Sequence, residues 1–223
     1  MNNSPVILFD IDYTLFNVLH FDENFPKYLA KLLFLDEEKI RSISIETITG
    51  LIKKEGFLDI SVYLDNLLSK LGGVERKQDV EEFLFAKDFF KLGFYPEVGY
   101  ALGALKDMFR LGIFSQGDIK LQGAKLTQSG LKHFFDEDKI YIKKPHKLDF
   151  LSELSKKHKN DQVFLVDDKL EILYEAKKAM PFMKTIWVKR GRYANSQKPI
   201  EGFEPDAFVN DLAGVVDFVK SKA

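Results

Sequence analysis

The sequence contains no cysteine among its 223 residues. This absence excludes disulfide bonds, thiolate metal sites and a cysteine nucleophile. Histidine is also scarce, and its few occurrences do not have the spacing of metal ligands. They are His20, His133, His146 and His158. We therefore assign histidine no role and look for the chemistry of this chain among carboxylates, hydroxyls and lysines.

The chain also lacks a strong net charge and any long apolar run. Its 33 Lys and Arg residues nearly balance 34 Asp and Glu residues, so charge indicates neither nucleic acid nor an anionic membrane as partner. No apolar run approaches the roughly 18 residues of a membrane span. The N-terminus MNNSPVILFD does not resemble a secretory signal. We expect a soluble, cytoplasmic protein, monomeric or homodimeric, that binds no nucleic acid and no membrane.

Short apolar runs alternate with amphipathic segments of helical length, which predicts an α/β fold with a doubly wound, Rossmann-like parallel sheet. The predicted strands are Val6 to Phe9, Leu111 to Phe114, Ile140 to Ile142, Val163 to Val166 and Thr185 to Val188. The predicted covering helices are Tyr100 to Phe109, Lys120 to Ser129, Leu148 to His158, Leu170 to Met180 and Leu212 to Lys220.

The interval between the first two predicted strands is about ninety residues long, whereas a βαβ unit needs only about thirty in all. It contains helical patterns and no clear strand signal. These patterns are Asn24 to Leu35, Ile43 to Lys54, Ile60 to Leu71 and Val80 to Phe90. We therefore predict a helical cap domain at residues 16–92, inserted into a core of residues 1–15 and 93–223. Its hinges are expected near residues 16–21 and 91–96.

Chemically active side chains follow four of the predicted strands. In open parallel sheets, ligands bind beyond the carboxyl ends of the strands, so these residues are expected to face one crevice. The first strand is followed by Asp10, Asp12 and Thr14, the second by Ser115, Gln116 and Gly117, the third by Lys143, Lys144 and Pro145, and the fourth by Asp167 and Asp168.

Together, the groups at these four strand ends suit phosphoryl transfer. They offer a carboxylate nucleophile, a second carboxylate as acid and base, carboxylates for Mg²⁺, and a cation with a hydroxyl for the phosphate oxygens. A carboxylate that approaches a phosphate dianion is repelled, so Mg²⁺ and lysine would have to neutralise charge. Each residue alone has an ordinary explanation as a turn, a cap or a surface group. Only the full set predicts this chemistry.

The segment FDIDYTLF matches the DxDxT signature of the haloacid dehalogenase-like superfamily, and that family's other three motifs follow in its order. The resemblance covers the whole predicted core, and the insert resembles the family's helical type-1 cap. It implies that Asp10 is the nucleophile and a Mg²⁺ ligand. It also implies that Asp12 is the general acid and base and lends its backbone carbonyl to the metal, while Thr14 steadies the loop.

The later motifs extend the same resemblance. Ser115 matches the hydroxyl of the second motif, Lys144 before Pro145 matches the lysine of the third, and Asp168 matches the metal-binding acid of the fourth. The implied catalytic residues are Asp10, Asp12, Ser115 and Lys144. The implied phosphate-binding residues are Thr14, Ser115, Gln116 and Lys144.

Two positions depart from the family pattern. Gln116 stands where relatives often carry Asn, which changes the polar contact to the substrate. Where relatives carry a later acid in the fourth motif, this chain has Ile172 and Leu173. Asp167, as a further metal or water contact, or Glu171 would have to compensate for that acid.

The resemblance implies a Mg²⁺-dependent phosphatase that hydrolyses a small phosphate monoester through an aspartyl-phosphate. The DxDxTLF start and the segments KLTQSGLKHFFD and IWVKRGRYA are similar to pyrimidine 5′-nucleotidase-like and phosphoglycolate phosphatase-like members. Nucleoside monophosphates, phosphoglycolate and sugar phosphates are therefore the expected substrates.

Several other functions remain open on the same residues. A phosphomutase or phosphotransferase would pass the phosphoryl group to a second hydroxyl instead of water. A 2-haloacid dehalogenase would use the same nucleophile on carbon without a metal, and it would not be expected to carry Asp12. A phosphate-binding signalling module such as a response-regulator receiver places its acid pair before the lysine, whereas Asp167 and Asp168 here follow Lys144. A non-catalytic protein is the remotest alternative.

Overall fold

The computed structural model describes residues 4–86, 88–144, 146–192 and 194–222. Six described strands form one parallel sheet. In chain order they are β1 (Val6–Phe9), β2 (Arg110–Gln116), β3 (Ile140–Lys143), β4 (Val163–Asp167), β5 (Lys184–Val188) and β6 (Ala207–Val209). They lie in the order β3-β2-β1-β4-β5-β6. The predicted α/β Rossmann-like fold is confirmed, and the five predicted strands correspond to β1–β5.

The α-helices also follow the predicted pattern, with shifted ends. They are α1 (Leu19–Leu33), α2 (Glu37–Glu55), α3 (Ile60–Leu71), α4 (Lys77–Phe85), α5 (Val98–Leu105), α6 (Ile119–Gln128), α7 (Leu151–Lys157), α8 (Leu170–Ala179) and α9 (Leu212–Lys220). Sequence periodicity did not predict β6, because a strand of three residues is too short to stand out as an apolar run.

Helices cover both faces of the sheet. Alternate residues of a strand point to opposite faces, and in β1 both sets are buried. Ile7 and Phe9 pack with α5 and α9, whereas Val6 and Leu8 pack with α7 and α8. The four apolar residues of β1 are fully buried, as expected for the centre of a parallel sheet. This burial fixes the position of β1 in the sheet and therefore the point at which Asp10 follows it.

Helices α1–α4 occupy the interval in which a cap was predicted. Their apolar residues belong to the same buried cluster as one face of the sheet; among them are Phe25, Leu29, Tyr63, Leu64 and Leu84. None of the described helices has the length and apolarity needed to span a bilayer. The division of the chain into two domains at residues 16 and 92 stays a prediction.

The chain enters and leaves this helical interval at one place. The Asn17 N–H donates to the Gly93 carbonyl over 2.7 Å, and the Tyr95 N–H donates to the Leu15 carbonyl over 3.1 Å. Gly93 is required for this approach, because a Cβ there would lie 2.2 Å from the Phe16 ring. We call these two hydrogen-bonded segments, residues 15–17 and 93–95, the neck.

Asp206 attaches β6 to β5. Its carboxylate accepts hydrogen bonds from the Thr185 backbone N–H (2.9 Å) and hydroxyl (3.1 Å), and from the ammonium groups of Lys177 and Lys184 (both 2.9 Å). Burial by itself would raise the pKa of Asp206, but these hydrogen bonds outweigh it and hold the pKa well below its usual range. The charged carboxylate therefore stabilises this edge of the sheet.

We expect Asp206→Asn to lower the free energy of unfolding at pH 7 by about 1–2 kcal/mol, because two ammonium groups lose their acceptor. A depressed carboxyl pKa contributes stability above the ordinary value of 3.8 that is lost as the pH falls below it. The difference between wild type and variant should therefore shrink between pH 5 and pH 3. Urea unfolding at both pH values measures it, with the exposed Asp107→Asn as control. A difference that stays constant down to pH 3 would contradict this role.

Candidate active site

Four adjacent strands bring the predicted groups to one edge of the sheet. β1 pairs with β4 so that Phe9 lies opposite Val166, and the next residues, Asp10 and Asp167, are therefore neighbours. The Asp10 N–H donates to the Val166 carbonyl over 2.9 Å, which continues the ladder beyond the strand. β2 flanks β1 on the other side and carries the buried Ser115.

Three buried carboxylates meet at this edge. Asp10, Asp167 and Asp168 each offer an oxygen, and the three oxygens lie within 4.8 Å of one another. Burial raises the pKa of Asp10 to about 6, with Lys147 opposing the shift and Asp167 adding to it. Burial, followed by the charges of Asp167 and Asp10, raises the pKa of Asp168 to about 9. The three carboxylates therefore repel one another when they are ionised, and a bound cation would reduce this repulsion.

Asp168 is the least satisfied member of the cluster. Both of its carboxylate oxygens are buried, and neither has a hydrogen-bond partner among the described residues. A buried carboxylate without a partner is costly. Three acidic oxygens around one point are the donor set of a hard divalent cation. The residues present thus fit a metal ion.

Lys147 is the cation that the structure places in the cluster. Its ammonium donates to Asp10 Oδ1 over 2.6 Å, to Asp167 Oδ2 over 2.5 Å and to the Phe114 carbonyl over 3.1 Å. The side chain is almost fully buried. Burial by itself would lower the pKa of Lys147, but Asp10 and Asp167 outweigh it and raise the pKa. Lys147 is therefore charged and bridges the ends of β1 and β4.

The structure does not bring Lys144 to the site, so its assignment as the active-site lysine is corrected. The Lys144 side chain is 40% exposed, and its ammonium lies 3.8 Å from Asp59 at the start of α3. β3 ends at Lys143, and a short helix begins at Lys147. The contacts of Lys147 show that the later lysine of the run KKPHK lies in the cluster, whereas the family motif selects the lysine before Pro145. Pro145 itself lies outside the described residues.

Two hydroxyls complete the inner surface of the crevice. Thr14 Oγ1 and Ser115 Oγ are buried and have no hydrogen-bond partner among the described residues. Thr14 lies in a tight loop in which the Leu15 and Phe16 N–H groups both donate to the Ile11 carbonyl over 2.8 Å. Both hydroxyls could donate hydrogen bonds to an anion bound beside Asp10.

Gln116 makes contacts that differ from the predicted one with a substrate phosphate. Its amide nitrogen donates to the Gly56 carbonyl over 3.1 Å, at the turn between α2 and α3. Its amide oxygen accepts from the Lys147 backbone N–H over 3.4 Å. Gln116 therefore connects the helical interval to the backbone of Lys147.

Asp12 is about one-third exposed, and the sequence did not predict its partners. The carboxylate accepts hydrogen bonds from Lys125 (2.5 Å) and Gln122 (2.9 Å), which both lie on α6. The three-residue spacing of Gln122 and Lys125 was the available signal. By itself, this spacing indicates only an amphipathic helix.

Backbone contacts hold the fourth-motif loop. The Asp168 carbonyl accepts from Gln197 Nε2 (2.7 Å) and Trp187 Nε1 (3.0 Å), while Asp167 Oδ1 accepts from the Lys169 N–H (2.9 Å). Glu171 is exposed. Of the two residues considered as replacements for the missing acid, Asp167 lies in the cluster and Glu171 does not.

Arg190 supports the loop after β1 from the end of β5, a role that the sequence did not indicate. Its guanidinium donates to the carbonyls of Tyr13 and Thr14 and pairs with Glu97. Gly191 is in the left-handed region, and a Cβ there would lie 2.3 Å from Tyr13. The segment after β5 is therefore packed against the loop that follows β1.

Solved structures with this fold are haloacid dehalogenase-like proteins. One from Burkholderia xenovorans has a TM-score of 0.79 and 25% identity, covering 97% of this chain and 96% of its own. By its fold, this chain is a member of the haloacid dehalogenase-like superfamily. No family model and no curated protein sequence matches it.

Two other haloacid dehalogenase-like structures share the fold at lower identity. A hydrolase from Bacillus subtilis bound to magnesium has a TM-score of 0.67 and 15% identity, covering 98% of this chain and 99% of its own. An L-2-haloacid dehalogenase from Xanthobacter autotrophicus with chloropropionic acid covalently bound has a TM-score of 0.62 and 16% identity, covering 99% and 100%. The fold therefore indicates a hydrolase and leaves its specificity open.

The two lysines should differ sharply on substitution. We expect Lys147→Met to lower the free energy of unfolding in EDTA by roughly 3 kcal/mol, because Asp10 and Asp167 lose their buried partner. Lys144→Met should change it by less than about 1 kcal/mol, because its pair with Asp59 is long and exposed. Urea unfolding of both variants tests this. Equal losses would contradict the placement of Lys147.

The metal fit can be tested without activity. We expect Asp168→Asn to raise the free energy of unfolding in EDTA at pH 7 by on the order of 2 kcal/mol, because burial and the neighbouring acids oppose ionisation of the Asp168 carboxyl, whereas Asn is neutral in both the folded and the unfolded chain. The same variant should lose the stabilisation that Mg²⁺ gives the wild type by binding the folded state. Thermal unfolding across a Mg²⁺ titration measures both effects, with Glu171→Gln as control. An unchanged Mg²⁺ response in Asp168→Asn would contradict the site.

Proposed function

We propose that this chain is a Mg²⁺-dependent phosphatase that hydrolyses a small phosphate monoester, with Asp10 as nucleophile and Asp12 as general acid and base. The supporting observation is the buried Asp168 carboxylate, which has no described partner and lies beside Asp10 and Asp167. This arrangement favours a bound cation, and phosphoryl transfer to a carboxylate requires one.

The residues that would hold Mg²⁺ are Asp10, Asp167, Asp168 and the backbone carbonyl of Asp12. When bound, the ion supplies the positive charge that allows a carboxylate to approach a phosphate dianion. A related hydrolase from Bacillus subtilis has been solved bound to magnesium, which supports this choice of ion. Lys147, which contacts both Asp10 and Asp167, would contribute a second positive charge.

The chain's own residues can carry out both steps. A carboxylate oxygen of Asp10 attacks phosphorus, the bond to the leaving oxygen breaks, and Asp12 gives that oxygen a proton. The ionised Asp12 then takes a proton from water, whose oxygen attacks phosphorus as the Asp10–phosphorus bond breaks. Inorganic phosphate leaves, and both carboxyl groups return to their starting states. Ser115 and Thr14 would donate hydrogen bonds to the phosphate oxygens.

The helical interval would limit the size of the substrate. The turn at Gly56 binds Gln116, and Arg192 after β5 pairs with Asp22 of α1 over 3.0 Å. These contacts hold the helical interval against the ends of two strands of the sheet, so the proposed substrates are small: nucleoside monophosphates, phosphoglycolate or sugar phosphates. Closure would exclude water from the reacting groups. We propose no nucleic acid or membrane partner.

A 2-haloacid dehalogenase is the second candidate. The fold shared with an L-2-haloacid dehalogenase that carries covalently bound chloropropionic acid favours it. Asp10 could then attack carbon and expel halide without a metal. That reaction protonates no leaving group, so it gives no task to Asp12. A phosphomutase or phosphotransferase would differ only in the final acceptor of the phosphoryl group.

The test combines a substrate panel with trapping of the intermediate. We expect release of phosphate from small monoesters with Mg²⁺ and none in EDTA. With a nitrophenyl phosphate, Asp12→Asn should still be phosphorylated, because the leaving group needs no proton, and its slow hydrolysis should leave a phosphoryl adduct on Asp10. With alkyl phosphates the same variant should lose on the order of 10²- to 10⁴-fold in rate. Rapid quench and intact mass spectrometry detect the adduct.

The controls separate the candidates. Asp10→Asn and the Asp10→Asn, Asp12→Asn double variant should form no adduct, whereas Glu171→Gln should behave as wild type. Chloride release from a 2-chloroacid in EDTA, without phosphate release under any condition, would establish the dehalogenase and refute the phosphatase. Appearance of the adduct in the double variant would refute Asp10 as nucleophile.

A further inference from the structure

Helix α6 carries polar side chains on a face that points into the protein. Gln122 and Lys125 are only 2% and 4% exposed, and Gln128 follows at the same three-residue interval. Residues three apart share one face of a helix. The buried face of an amphipathic helix is normally apolar, so two deeply buried polar residues on it need another explanation.

Both residues bind Asp12 and use both of its oxygens. Lys125 Nζ donates to Oδ1 over 2.5 Å, and Gln122 Nε2 donates to Oδ2 over 2.9 Å. A carboxylate held at both oxygens by groups from one helix has little freedom to rotate. The Asp12 carboxylate is nevertheless about one-third exposed, so it is held at both oxygens and is still accessible.

The residues just before α6 determine where this helix begins relative to Asp12. Gly117 has a φ of 145°, and a Cβ there would lie 3.0 Å from Gln122 Nε2. Asp118 caps the helix by accepting from the Leu121 N–H over 2.9 Å. Gln122 also donates to the Gln116 carbonyl over 3.3 Å. The turn and the cap thus fix where the first polar residue of α6 lies.

The other end of the polar face contacts the helical interval. Gln128 accepts from the Phe90 N–H over 2.9 Å and donates to the Leu84 carbonyl over 2.6 Å. Lys125 Nζ also lies 4.7 Å from the centre of the Phe16 ring, at the neck. Helix α6, whose polar face binds Asp12, is therefore held in place at both of its ends.

We propose that Lys125 and Gln122 are positioning residues that aim the Asp12 carboxylate at the leaving oxygen of the substrate; this inference rests on the proposed phosphatase function. Two of the buried lysines bind different acids of this region. Lys147 binds Asp10 and Asp167, whereas Lys125 binds Asp12. Lys125 thereby keeps Asp12 from turning toward the metal-binding carboxylates and holds it where proton transfer takes place.

The test compares substrates that differ in their need for an acid. In Lys125→Met and Gln122→Leu, we expect kcat on an alkyl phosphate to fall on the order of 10- to 100-fold, part of the usual worth of general acid–base catalysis. KM should change little, because neither residue touches the bound phosphate. Formation of the phosphoryl-enzyme from a nitrophenyl phosphate should stay close to wild type. Lys125→Arg should recover part of the lost kcat.

A double-variant cycle excludes a merely structural role. In the Asp12→Asn background, Lys125→Met should cause no further loss of kcat, because the residue that it positions is already disabled. Full multiplication of the two losses would overturn the inference. The exposed Lys132→Met is the control for removing a lysine near this helix and should match wild type.

A crystal structure of Lys125→Met gives a readout independent of turnover. The Asp12 carboxylate should have rotated away from its wild-type direction, and an unmoved Asp12 would overturn the inference whatever the substrate. Wild-type protein that releases no phosphate with Mg²⁺ would instead overturn the proposed function. The two failures are therefore distinguishable, and Gln122→Leu supplies the same comparison if Lys125→Met does not fold.

Discussion

The ammonium group of Lys147 is the interaction on which the site depends. It is enclosed by the carboxylates of Asp10 and Asp167 and by the Phe114 carbonyl, so it ties the ends of three adjacent strands to one charge. Without it, the like charges at this edge would repel one another inside a buried crevice. Even with it, Asp168 remains without a described partner. The protein thus buries three neighbouring acids at one edge of its sheet, and this arrangement could hold a cation.

At the edge of the sheet that carries Asp168, a feature that lowers the stability of the fold also favours the binding of a ligand. Buried carboxylates that lack partners weaken the folded state, and the same lack of partners leaves their oxygens available to a metal. The outer edge of the sheet shows the contrast, because Asp206 is fully paired with Lys177, Lys184 and Thr185. Asp206 therefore stabilises the fold, whereas Asp168 has no described partner. Hydrogen-bond satisfaction distinguishes them more clearly than residue type does.

Periodicity was sufficient to predict the fold class and five of the strands, because buried parallel strands are apolar on both faces and their helices are amphipathic. Asp10, Asp12, Asp167 and Asp168 could be found because they directly follow such strands. Lys147 could not, because it does not directly follow β3, which ends at Lys143, and no local pattern indicates its contacts with Asp10 and Asp167. The partners of Asp12 were missed for a related reason: long-range contacts such as Lys125 with Asp12 leave no periodic trace in the sequence.

The neck also affects how the chain reaches its fold. β1 must pair with β2, and their paired residues Val6 and Arg110 are far apart in sequence. Closing a long loop costs entropy that rises only slowly with its length, but slow closure delays folding. In the folded chain, the hydrogen bonds between residues 15–17 and 93–95 hold the two ends of the interval together. The path from β1 to β2 is short when it is measured across the neck, so we expect packing within α1–α4 to lower the entropy that pairing these two strands costs.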